Sequence, residues 1–136
     1  MNPHYNQNYT KDEITTILNK IQDCIRENRY SIAQNENRQE NVDFINEYNI
    51  RSNKQRSILL QIEPEDFCYS LQNTNLGFEH ENLYVFVPKV KLINIYDKEE
   101  FVDVYTKFNV IDMANGSRAV VISFHKRNKP INYLFR

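Results

Sequence analysis

The period of the apolar positions changes near residue 80, dividing the chain into two regimes with no linker between them. In the first, Ile14, Ile17, Leu18, Ile21, Cys24 and Ile25 fall on one helical stripe, which predicts a helix over residues 11–28. Thr10-Lys-Asp-Glu13 precedes it as a capping box: hydroxyl and carboxylate each satisfy an amide that a first helical turn leaves without a partner. Arg29 to Ala33 reads as a short extended segment, and Val42, Phe44, Ile45 and Tyr48 predict a second helix. A third, over 52–62, opens on a second capping box, Ser52-Asn-Lys-Gln55, and buries Ile58, Leu59 and Ile62. Pro64 lacks an amide that a helix start leaves unpaired anyway, so Glu63–Phe67 predicts another short helix.

Beyond residue 80 the chain is rich in Val, Ile, Tyr and Phe. Strands are predicted over 83–95, with Pro88 marking an edge or bulge, and over 101–111 and 118–125, joined by a hairpin at Asn115-Gly116. Helices followed by an antiparallel meander give an α+β fold: N-terminal helices packed on a C-terminal antiparallel sheet of three or more strands. Residues 11–136 read as a single domain after a disordered leader, 1–10, whose His4 is given no role.

Alternation places Val102, Val104, Phe108 and Val110 on one face, and Asp103, Tyr105, Lys107 and Asn109 on the other. In the next strand Val120, Ile122 and Phe124 form the apolar set, opposite Val121, Ser123 and His125. A two-residue loop at Asn115-Gly116 would pair Phe108 with Ser123 and mix core with surface. A three-residue loop, Asn115–Ser117, pairs Phe108 with Phe124 and Lys107 with His125. The pattern selects the second, because a slip of one residue exposes every core side chain. Tyr105, Lys107 and His125 are thereby expected on one sheet face.

Composition narrows the chemistry. The 136 residues fit one domain with its own core, and two glycines exclude a glycine-rich phosphate loop. Without a long apolar run or a signal-peptide core, the chain is expected in the cytoplasm and away from membranes. Cys24, Cys68 and the three histidines have no metal-ligand spacing, so neither metal nor cofactor is expected. Charge is uneven: the net is −1, yet residues 118–136 carry five cations and no acid, leaving −6 on residues 1–117. Lys126, Arg127 and Lys129 beside His125 are the footprint of a site for a polyanion such as RNA. Residues 1–66 carry eight cations against eleven acids, which argues against a basic recognition helix and a DNA-binding regulator. An imidazole can move the proton of an attacking hydroxyl, and a cation can stabilise charge on phosphorus. Tyr105, Lys107 and His125 therefore suit phosphodiester chemistry, with His80, flanked by Glu79 and Glu81, as a second imidazole.

Four stretches in order, Pro64-Glu-Asp-Phe-Cys-Tyr-Ser70, Glu81-Asn-Leu-Tyr84, Val104-Tyr-Thr-Lys107 and Val121-Ile-Ser-Phe124, resemble the motility quorum-sensing regulator (MqsR) toxins. The resemblance covers about residues 11–126. It implies a RelE-like α+β fold and an mRNA interferase of a type II toxin–antitoxin system. Its substrate would be single-stranded mRNA, and its partner a cognate antitoxin encoded by an adjacent gene. Position by position, the family's strand tyrosine and lysine match Tyr105 and Lys107. Its other functional positions, a lysine, a glutamine and a second lysine, fall on Tyr69, Glu81 and His125, with Lys126 one residue later. The site is thus shared in location and altered in chemistry. The expected reaction is metal-independent: the ribose 2′-hydroxyl attacks the adjacent phosphorus, leaving a 2′,3′-cyclic phosphate and a 5′-hydroxyl. His125 and Glu81 are the candidates for base or acid, Lys107 or Lys126 for charge stabilisation, and Tyr105 and Tyr69 for orientation or stacking. The alternative is a non-catalytic protein-interaction module, or an inactive toxin relative retaining the fold. The lost lysine at Tyr69 and the added carboxylate at Glu81 favour it.

Overall fold

The computed structural model describes residues 5–136, so His4 lies outside the described residues. Among them, three helices and seven strands form an α+β fold. Strand β1 (Tyr5–Asn6) is followed by α1 (Lys11–Arg26), β2 (Tyr30–Ile32), α2 (Gln39–Glu47) and α3 (Ser52–Leu60). Strands β3 (Phe67–Gln72), β4 (Asn82–Phe86), β5 (Lys89–Ile93), β6 (Glu99–Met113) and β7 (Gly116–Lys126) complete it. No helix among the described residues is long and apolar enough to cross a membrane.

The capping box of α1 forms as read: Glu13 donates its amide to the Thr10 hydroxyl (3.1 Å), and Thr10 donates its own to the Glu13 carboxylate (2.8 Å). The helix buries Ile14, Leu18, Ile21, Cys24 and Ile25. Gln22 ties it to the end of α3 by donating to the Leu60 carbonyl (3.3 Å) and to that of Ile62 just beyond (2.9 Å). The second capping box does not form. Arg51 is the N-cap and Ser52 is already helical, so its hydroxyl caps nothing, and Gln55 instead donates its side chain to the Ile50 carbonyl (3.3 Å). Pro64–Asp66 is a single 3₁₀ turn.

The sheet runs β1-β3-β4-β6-β7-β2, with β5 on β6 beside β4. Every pairing is antiparallel except β2 with β7, where Tyr30–Ile32 lies parallel to Ala119–Val121. The strand expected over 83–95 is broken at Val87-Pro88 into β4 and β5, because a proline cannot continue the ladder. Two strands were not foreseen: β3, directly after the 3₁₀ turn, and β1, which pairs Tyr5 with Leu71 inside the segment expected to be a leader.

The β6–β7 register corrects the expected hairpin. The loop is the two residues Ala114-Asn115, with Met113 facing Gly116, whose φ of +114° suits glycine. Phe108 pairs with Val121, and a bulge between Lys107 and Phe108 then resets the ladder, so that Lys107 faces Ser123 and Tyr105 faces His125. Lys107 was expected opposite His125. The bulge also moves Ala119 and Val121 into the core in place of Val120 and Ile122, while Phe124 keeps its place. Beyond the bulge, Tyr105, Lys107 and His125 share the face opposite Phe108 and Phe124, as alternation required.

The helices cover the face of Phe67, Phe86, Phe108 and Phe124. Among the described residues, no helix contributes to the cluster on the other face. This smaller apolar cluster, Tyr69, Val85, Val87 and Tyr105 with Cys68, is crossed by the C-terminal tail through Ile131 and Tyr133. Tyr133 anchors the tail by donating to the Val87 carbonyl (2.7 Å), and Arg136 by pairing with Asp66 (2.7 Å).

Candidate nucleic-acid interface

This second face gathers an aromatic cluster. Tyr69 from β3 and Tyr105 from β6 meet hydroxyl to hydroxyl at 3.0 Å, both nearly buried. Tyr5 stacks on Tyr69 with ring centroids 3.9 Å apart, and the His125 ring lies at 15° to that of Tyr105 at 5.4 Å. Burial, reinforced by the Tyr105 hydroxyl, raises the Tyr69 pKa far above that of an ordinary phenol. Tyr69 therefore stays protonated: it can orient or stack and cannot act as a base. His125 keeps 14 % of its side chain exposed. Its Nδ1 lies 2.8 Å from the Lys126 carbonyl, an oxygen that can only accept, so Nδ1 is the donor and Nε2 is left without a partner among the described residues. The Glu40 carboxylate approaches Nδ1 at 3.7 Å.

Cations border this cluster. Lys129 donates to the Tyr5 hydroxyl at 3.2 Å and lies over the rings of Tyr5 and Tyr105, at 5.6 and 5.3 Å. Lys107, half-buried, has a lowered pKa: burial penalises its charge, and Arg38 and Lys129 add like-charge repulsion. Among the described residues, neither the Lys107 ammonium nor the Arg38 guanidinium has a hydrogen-bond or ion-pair partner. Both line a cavity of about 690 Å³ together with Leu83, Ile122, Gln72 and Asn75. Glu79 stands on its rim with its carboxylate accepting the Gly77 amide at 3.1 Å.

The other sequence candidates lie elsewhere. Glu81 accepts from the side-chain amides of Asn73 (2.9 Å) and Asn109 (3.0 Å), and with exposed His80 borders a separate depression alongside Lys20 and Asp112. Lys126 pairs with Glu47 at 2.8 Å and sits over the Tyr48 ring, against α2. Its ion pair with Glu47 raises its pKa. Arg127 pairs with Asp103 at 3.3 Å. Of the basic tail, Lys129 alone of these three joins the aromatic cluster. Arg38 was missed because its own stretch is acidic by count, and only the fold carries it beside Lys107.

Among the described residues, no three of His, Cys, Asp and Glu gather into a metal-binding group. The arrangement offers a free imidazole nitrogen held against a buried tyrosine pair, and cations without counter-ions. Comparison with known proteins adds no assignment: no family model, characterised protein or solved structure matches the chain.

Proposed function

We propose that this chain is a metal-independent endoribonuclease that cleaves single-stranded mRNA, a RelE-like toxin of the motility quorum-sensing regulator kind held silent by a cognate antitoxin. One observation carries the reading: uncompensated Lys107 and Arg38 lie on the same face as His125, whose Nε2 is free to take a proton. A half-buried lysine beside two further cations has no structural benefit. It is what a face built to receive an anion would hold.

In the proposed reaction His125 Nε2 removes the proton of the ribose 2′-hydroxyl, and that oxygen attacks the adjacent phosphorus. The bond from phosphorus to the 5′ oxygen breaks, and the leaving oxygen takes a proton from solvent. The products are a 2′,3′-cyclic phosphate and a 5′-hydroxyl. Lys107 offsets the charge that grows on the phosphoryl oxygens, and the Tyr105–Tyr69 pair holds the plane against which His125 stacks. Glu81 and His80 have no part in this mechanism, because both border the other depression.

A non-catalytic interaction module is the second reading. The Tyr69 and Tyr105 hydroxyls, which satisfy each other in burial instead of pointing at a substrate, favour it. Incubation of the purified chain with single-stranded RNA in excess EDTA separates the two. The nuclease yields cyclic-phosphate termini under chelation, and His125→Ala slows it by about 10²–10⁴-fold. Intact RNA, or cleavage that returns only on adding a divalent ion, rejects the mechanism.

A further inference from the structure

The cavity beyond Lys107 extends the face past the His125–Tyr105 pair, towards the loop between β3 and β4. Lys107 precedes His125 along the ladder by one same-face step: Tyr105 faces His125, and Lys107 faces Ser123. Two residues of strand span about 7 Å, commensurate with the distance between successive phosphates of an extended single strand. Arg38 arrives from the 3₁₀ turn between β2 and α2 and lines the cavity with Lys107. A guanidinium presents several donors in a planar fork, a geometry that matches phosphate oxygens. The rest of the lining is uncharged except for Glu79, whose carboxylate accepts the Gly77 amide; Gln72 spends its Nε2 on the Glu79 carbonyl (2.7 Å) and keeps its oxygen, and among the described residues the Asn75 side chain makes no hydrogen bond.

We infer that Arg38 forms a second phosphate subsite, one nucleotide along from the bond cleaved at His125, with Lys107 standing between the two phosphates. This rests on the RNA-cleaving reading of the same face. The subsite holds the neighbouring phosphodiester and so fixes which backbone bond lies under the imidazole. Arg38 is a positioning residue, since it touches a phosphate that does not react.

The test is anisotropy of a short, labelled single-stranded 2′-O-methyl RNA, which lacks the attacking hydroxyl, titrated with the full chain at several salt concentrations. Arg38→Gln is expected to weaken binding about tenfold at low salt and to reduce the slope of log K against log[salt] by about 0.7, one phosphate contact on a single strand. Arg38→Lys restores the slope and part of the affinity. Lys54→Gln, on the exposed side of α3, changes neither. A parent that cleaves RNA while its salt slope ignores Arg38 rejects the subsite alone. A parent that binds with an Arg38-dependent slope but never cleaves supports the subsite and rejects the nuclease. If polyglutamate binds as tightly with the same dependence on Arg38, the subsite belongs to an acidic protein segment and the RNA assignment is overturned.

Discussion

His125 is less of a surface residue than its place at a strand end suggests, because its ring is stacked on Tyr105 and mostly covered. His125→Ala is therefore expected to cost about 1 kcal/mol of stability, the scale of a lost aromatic pair, in addition to the fall in cleavage rate; urea unfolding measures it. Tyr105→Phe likewise removes more than a hydroxyl, since it takes away the partner of the Tyr69 phenol. Tyr69→Phe and Tyr105→Phe should each cost about 1 kcal/mol, and the double variant clearly less than their sum; strict additivity would show that the pair is not coupled. Lys107 has the opposite sign. Its folded pKa is lowered by burial and by Arg38 and Lys129, so between that pKa and the ordinary lysine value the unfolded chain binds more protons. Stability then rises with pH through that window, and below it the charged lysine weakens the fold. Lys107→Met is expected to raise the thermal midpoint at neutral pH and flatten the alkaline rise, while cleavage falls about 10²-fold. A lower midpoint would mean that the ammonium is satisfied after all.

Elements were legible where their signal is local. Thr10 and Glu13 cap α1 because both partners lie within one turn, whereas at Ser52 the same spelling is overruled by Arg51, which takes the N-cap position. Thr10→Ala should cost about 1 kcal/mol and Ser52→Ala no more than about 0.5 kcal/mol, a contrast that denaturant titration resolves. What escaped were features decided at a distance. β3 follows a helical turn and is extended by virtue of its pairing with β4, and β1 is a strand only because β3 offers it an edge. The bulge in β7 is the instructive case. Alternation correctly demanded that Phe108 and Phe124 share a face, and an odd loop was one way to obtain the shift; the chain uses a two-residue turn and one extra residue at Ile122 instead. Deleting Ile122 should therefore drive either Val121 or His125 to the wrong face. The expected result is loss of cooperative unfolding, followed by near-ultraviolet dichroism.

At the scale of the whole molecule, the charge count singled out the C-terminal segment and passed over a cation that the fold leaves uncompensated. Of the tail cations, Lys126 and Arg127 are committed to Glu47 and Asp103, while Arg38, from an acidic half, stands beside Lys107. The sequence shows how many charges a segment has; the fold determines which remain uncompensated. If the chain is a toxin, its inducible expression should arrest growth and degrade bulk mRNA, and co-expression of a small protein from the neighbouring gene should relieve both. Abundant active chain produced alone in healthy cells would count against the antitoxin.

The parallel pairing of β2 with β7, and the contact of Tyr5 with Lys129, tie together parts of the chain made far apart in time. At ordinary elongation rates, residue 129 follows residue 5 out of the ribosome by on the order of ten seconds. The helices and the β3–β4 hairpin can form during that interval, but the imidazole and its flanking cation are still inside the exit tunnel. If the chain is the nuclease proposed, it stays harmless until β7 and the segment carrying Lys129 have emerged and docked, long after its helices have folded.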